Sequence, residues 1–175
     1  MSKSWMLLGG MLLAASVSTG AIVWDEKAKT GKGYELAELM ERAKVSLAQG
    51  LTASHTEGTP ISGKFEAEDG KLQLSIYTMK GNRFSEVVID HQKGTVAKVE
   101  PITEGDDLTA AKAQSAAMAS AKNSLEMAVN QAVKANSGFA AVSVTPSLKD
   151  GHPVAEVILT NDEGEELKTV SEPLS

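Results

Sequence analysis

Apolar residues recur with two different periods along this chain, and the change of period divides it into elements. From Tyr34 to Gln49 the apolar positions are Leu36, Leu39, Met40, Ala43 and Leu47. Steps of three and four mark one face of a helix. Glu38 and Arg42 stand four apart in the favourable order, and Gly50 stands where a helix commonly stops. Leu51 to Pro60, rich in Thr, Ser and Gly, reads as a loop. The period then becomes two. Ile61, Phe65 and Ala67 alternate with Ser62, Lys64, Glu66 and Glu68; Leu72, Leu74 and Ile76 alternate with Lys71, Gln73 and Ser75. Both runs predict strands with one polar face. Asp69-Gly70 between them suits a two-residue hairpin turn, because both residues accept φ > 0. Lys80-Gly81-Asn82 predicts a second turn, Phe84 to Asp90 a third strand, Gly94 a third turn, and Thr95 to Val99 a short fourth strand.

Pro101 to Gly105 reads as a linker, after which Asp106 or Asp107 can cap a new helix. The Ala-rich stretch that follows has Leu108, Ala111, Ala116, Met118, Leu125, Val129 and Val133 among its apolar residues. It predicts one long or bent helix. Asn123 followed by Glu126 resembles a capping box and offers a break into two as the alternative. Period two then returns. Ala140, Val142, Val144, Pro146 and Leu148 share one parity, Asp150-Gly151 turns the chain, and Val154 to Leu159 makes the next strand. Asp162-Glu163-Gly164 turns it again, and Glu166 to Val170 is the last strand.

The second series of elements answers the first. Setting Asp69 on Asp150 sets Leu74 on Ala155 and Ile76 on Val157, and brings the turn near Gly81 to the turn near Gly164. A helix followed by turns in step points to duplication of one unit. The expected fold class is α+β: two tandem units, each a helix packed on a three- to four-stranded antiparallel sheet. The first unit spans residues 34–101; residues 102–175 hold the linker, the long helix and the second unit.

The chain has 175 residues and only 4% aromatics, so aliphatic side chains must fill most of its core. Its net charge of −6 argues against a nucleic-acid partner, which calls for a basic face. It has no Cys, which excludes disulfides and thiolate chemistry. At the N-terminus Lys3 precedes an apolar run from Trp5 to Val17, small residues follow, and charge begins at Asp25. That order predicts a signal peptide over residues 1–21, cleaved after Ala21 by the small residues Thr19 and Ala21, or earlier at Ser16 and Ser18. Residues 22–33 would then be an exposed lead-in. Extended through Trp24, the same run reaches about the 20 residues of a membrane anchor, which is the rival reading.

At this point the residues resemble the PepSY family of small extracytoplasmic modules. Ser124 to Val133 looks like that family's opening helix, and Ser143 to Leu159, with its Asp150-Gly151-His152-Pro153 turn, looks like its central hairpin. Val87-Val88-Ile89-Asp90 followed by Gly94 is similar to its closing strand, with Lys93 where the family usually has Thr. Val170 to Ser175 lacks both that Asp and that Gly. The resemblance covers most of residues 34–175. It implies a helix on a small antiparallel sheet, twice, and a secreted or periplasmic setting. Some relatives occur in propeptides of thermolysin-type proteases, which implies a role in restraining a protease or binding another envelope protein.

Chemistry is sparse. His55, His91 and His152 sit in or beside turns, none with a second ligand at a metal-binding spacing. The acidic stretches at Glu104 to Asp107 and Asp162 to Glu166 lack the alternate-residue ligands of a calcium loop. No Ser lies in a Gly-x-Ser-x-Gly elbow. Asp69, Gly70, Asp90, Gly94, Asp150 and Gly151 are assigned as structural turn residues. No catalytic, cofactor or metal residue is assigned, and no cofactor is expected. The expected function is a non-enzymatic exported interaction module with an envelope protein as partner. A periplasmic binder or sensor of a small ligand or metal ion is the alternative.

Overall fold

The computed structural model of the protein describes residues 35–162, 164 and 166–175. The expected signal segment with its cleavage at Ala21, and the lead-in over residues 22–33, lie outside the described residues. The order is α1 (residues 35–40), α2 (Leu47–Ser54), β1 (Thr59–Glu68), β2 (Lys71–Lys80), β3 (Arg83–Asp90), β4 (Thr95–Ile102), α3 (Gly105–Met118), α4 (Leu125–Ala135), β5 (Phe139–Lys149), β6 (His152–Asn161) and β7 (Leu167–Pro173). The fold class is α+β. All seven strands form one antiparallel sheet in the order β4-β3-β2-β1-β5-β6-β7.

Several expectations about helices are corrected. The periodic stretch from Tyr34 is two helices, α1 and α2, and Gly50 lies inside α2. The start of α2 is fixed by a capping box. The Ser46 side chain accepts from the Gln49 N–H at 3.2 Å, and the Gln49 side chain accepts from the Ser46 N–H at 2.9 Å. The stretch expected as a loop from Leu51 therefore holds the second half of α2 and the start of β1. The Ala-rich segment is likewise two helices, not one. Residues 119–124 interrupt it because the Lys122 and Asn123 N–H groups bond to the Leu174 carbonyl, near the far end of the chain. The cap of α4 is Ser124, whose hydroxyl accepts from the Met127 N–H, and not Asn123. At α3 the cap position is Glu104; Asp106 and Asp107 stand in the first turn, where carboxylates complement the helix dipole.

Side-chain parity assigns two faces to the sheet. Leu74 and Ile76 of β2, Val87 and Ile89 of β3, and Val157 and Leu159 of β6 meet Leu51 of α2 and Val129 of α4 in one continuous core. Tyr77 and Met79, of opposite parity on β2, meet Ala111 and Met118 of α3 on the other face. A bulge at Ile61 lets both Ile61 and Ser62 turn toward α3. A second bulge, at Val142, lets both Ala141 and Val142 turn toward the main core. The offset that carries Asp69 onto Asp150 also carries the first bulge onto the second, and Gly63 onto Val144. Gly63 and Val144 are themselves partners in the short β1–β5 ladder that joins the two halves of the sheet.

Candidate binding surface

Of the residues assigned from sequence as turns, Asp69, Gly70, Gly94, Asp150 and Gly151 stand in turns, while Asp90 is the last residue of β3. Asp69 and Asp150 both have φ of 50°, and Gly70 and Gly151 have φ of 70° and 79°. Positive φ at both central positions matches the right-handed twist of the flanking strands. Because β1 and β5 run antiparallel, these two turns lie at opposite ends of the sheet and form no common site. Asp90 organises the β3–β4 turn. Its Oδ1 accepts from the Gln92 N–H at 2.9 Å and the Lys93 N–H at 3.1 Å, and its carbonyl accepts from the Gly94 N–H at 2.7 Å. Those backbone donors, with Lys93 beside them, hold the Asp90 carboxyl below its ordinary value. The same turn clasps the α1–α2 connection, through the Lys44 N–H on the His91 carbonyl and the Gln92 amide on the Arg42 carbonyl.

The three histidines are dispersed. His55 closes α2 and reaches Glu126 of α4, with Nε2 2.7 Å from Oε1, so it ties the two main-core helices together. His91 sits in the β3–β4 turn and His152 at the exposed start of β6. Among the described residues no three His, Asp or Glu side chains converge to hold a metal ion.

Of the charged groups that do converge, Lys64 and Glu66 were read from sequence only as the polar parity of a strand, and Glu86, Lys98 and Glu100 were not singled out. They occupy the face of the sheet that carries α3. Lys64, Ser75 and Val88 are successive cross-strand partners on β1, β2 and β3, and Lys98 follows on β4. In the next row, Ser62, Tyr77, Glu86 and Glu100 follow one another in the same way. Lys64 is almost wholly buried and its Nζ lies 2.5 Å from Glu66 Oε2. Gln73 donates to the Ser75 hydroxyl at 2.8 Å, and both stand 3.4 Å from Glu66 Oε1. Burial pushes the Glu86 carboxyl above its ordinary value, against a hydrogen bond from Ser75 that lowers it; Glu66 adds to the rise. At the margin Lys98 pairs with Glu100 at 2.8 Å, and that contact holds the ammonium above its usual value.

Helix α3 roofs one side of this row. Ser62 donates to Gln114 Oε1 at 2.8 Å, with both side chains buried. The Ser115 hydroxyl meets Met79 Sδ at 2.8 Å. The fully buried Tyr77 phenol faces Asp107 of the first turn; burial raises it, and the Asp107 charge raises it further. Asp107 Oδ1 is buried with no hydrogen-bond partner among the described residues. The surface thus combines fixed charge, a half-buried carboxylate held toward its neutral form, and an apolar border of Met79, Phe84 and Ile102. Compared with known proteins, the chain matches no family model, no curated protein and no solved structure.

Proposed function

We propose that the protein is a non-enzymatic, exported interaction module built from two tandem PepSY-like units, which binds or restrains another protein of the cell envelope. The observation that carries this reading is the β1–β5 ladder. Its Gly63 and Val144 partners are equivalent under the same offset that superposes the Asp69-Gly70 and Asp150-Gly151 turns and the two bulges. Two copies of one unit joined strand to strand about a local twofold produce that coincidence; unrelated halves would have no reason to. The strands β5 to β7 then correspond to β1 to β3, and α4, capped by Ser124, corresponds to α2, capped by Ser46.

Joined in this way, the units make a wide platform. One face, covered by α2 and α4, supplies rigidity; the other, beside α3, sets the half-buried Glu86 and the exposed Lys98–Glu100 pair where a partner can reach them. Export rests on the N-terminal order of Lys3, an apolar run and small residues ending at Ala21. The test is expression of the whole chain with a C-terminal tag in its own cell, followed by fractionation, N-terminal sequencing and crosslinking. The expected result is a periplasmic protein beginning at Ile22 that crosslinks to one envelope protein, with E86K reducing the yield. A chain that keeps Met1 in the cytosol overturns export. A crosslinking pattern no different from that of an unrelated exported protein overturns partner binding.

A further inference from the structure

The two edges of the sheet are built differently. On β4 the pairing steps from Val88↔Lys98 to Ile89↔Val96, so Ala97 is an extra residue and the edge strand itself is bulged. Bulges of this kind blunt an edge against further pairing. On β7 the register runs from Val154↔Pro173 to Thr160↔Leu167 without a shift. The edge of β3 that corresponds to the outer edge of β7 is covered by β4; β7 has no neighbour there among the described residues.

The hydrogen bonds of β7 say which backbone groups face outward. Leu174 N–H donates to the Pro153 carbonyl at 2.9 Å, and Asn161 N–H donates to the Glu166 carbonyl at 3.3 Å. In an antiparallel ladder such pairs alternate with pairs that bond away from each other. The even-numbered residues of β7 therefore bond to β6, and Leu167, Thr169, Ser171 and Pro173 turn their backbone groups to the open edge.

We propose that this edge pairs antiparallel with the same edge of a second copy of the chain, about a twofold axis at Val170. In that register Thr169 and Ser171 of one copy exchange backbone hydrogen bonds with Ser171 and Thr169 of the other. Lys168 of each copy falls opposite Glu172 of the other, on the face shared with Val170. Shifting the register by two residues in either direction loses both ion pairs, so charge selects the self-complementary arrangement. Lys168 is already held at the rim: its Nζ lies 3.1 Å from Asn136 Oδ1 and 4.7 Å from the centre of the Phe139 ring. Glu172 has no ion-pair partner among the described residues. Leu167, exposed by 47%, would lie against Pro173 of the second copy on the opposite face. A seven-residue edge buries less than the roughly 1,200 Å² of a tight interface, so the dimer forms at high concentration and reverses on dilution.

This pairing is independent of the envelope partner, and its test does not involve one. Sedimentation equilibrium of the whole chain at rising concentration should show a monomer–dimer equilibrium. T169P removes an outward N–H and no internal hydrogen bond; it should weaken association at least roughly tenfold while leaving the circular dichroism melt in place. E172K and K168E should each weaken it by setting like charges opposite each other, and the double variant K168E/E172K should recover most of the loss. A monomer throughout the range overturns the proposal. So does a dimer indifferent to T169P, or singles whose losses simply add in the double variant.

Discussion

Ser62 and Gln114 hold each other with both side chains buried, so removing one strands the polar group of the other. S62A should cost about 1–3 kcal/mol in urea unfolding, the penalty for stranding a buried polar group. Replacing both residues by apolar ones, S62A/Q114L, should cost less than S62A alone. Glu86 makes the complementary point about charge. Its carboxyl is raised in the folded protein, chiefly by burial, so the fold favours the protonated form. The stability this lends is fully present below the ordinary carboxylate value and is lost as pH rises through the raised folded value. At neutral pH the ionised group is therefore a burden. E86Q keeps an acceptor for Ser75 and should raise the melting temperature at pH 7, with the gain shrinking toward zero below pH 4. Asp90 has the opposite sign. Its carboxyl is lowered by the turn's N–H groups, so its contribution is present above the ordinary carboxylate value and lost as pH falls through the lowered one. D90A should flatten the acid limb of a stability-against-pH curve measured by thermal melting.

At the level of elements, what was legible in the sequence is what is local. The parity of Leu72, Leu74 and Ile76, and the two Asp-Gly turns, place the strands and hairpins because a strand's alternation and a turn's positive φ are properties of neighbouring residues. The capping box Ser46-Leu47-Ala48-Gln49 was also present and marks the true start of α2. Gly50 was misread because a glycine near a helix can serve the helix end or the packing. Here it serves the packing: a Cβ at Gly50 would lie 2.6 Å from Leu74 Cδ2. Gly63 does the same from the sheet side, where a Cβ would meet Ile76 Cδ1 at 2.7 Å and both Leu47 and Leu51 at 3.3 Å. G63V should therefore push α2 off the sheet, at a cost of about 1–3 kcal/mol in chemical denaturation, despite the better strand propensity of Val. The break between α3 and α4 was not legible beyond the alternative that Asn123 and Glu126 offered, since it depends on the Leu174 carbonyl packing against residues 122 and 123. Nor was the row of Lys64, Ser75 and Lys98: alternation shows that each is on a polar face, but only strand order and register bring them together.

On the scale of the whole molecule, the division expected at residue 101 does not divide the core. Leu51, Phe65 and Leu74 from one side of it share a single apolar cluster with Val129, Val144 and Val157 from the other. α2 and α4 are further tied by His55 and Glu126, and β1 lies inside the sheet only because β5 pairs with it. Cutting the chain after residue 101 would leave β1 as a long edge and uncover the core where α4 sat. A segment of that size is already near the limit at which a single core sustains folding, and the lost apolar contact is worth on the order of 25 cal/mol per Å². Residues 34–101 expressed alone should accordingly show a broad melt well below that of the protein, or none, in differential scanning calorimetry. Mixing them with residues 102–175 should restore part of the transition, because β1 and β5 then supply each other's missing neighbour. A sharp transition of residues 34–101 alone at the temperature of the whole chain would mean that the shared core contributes nothing to cooperativity, and that the two halves are held side by side without depending on each other.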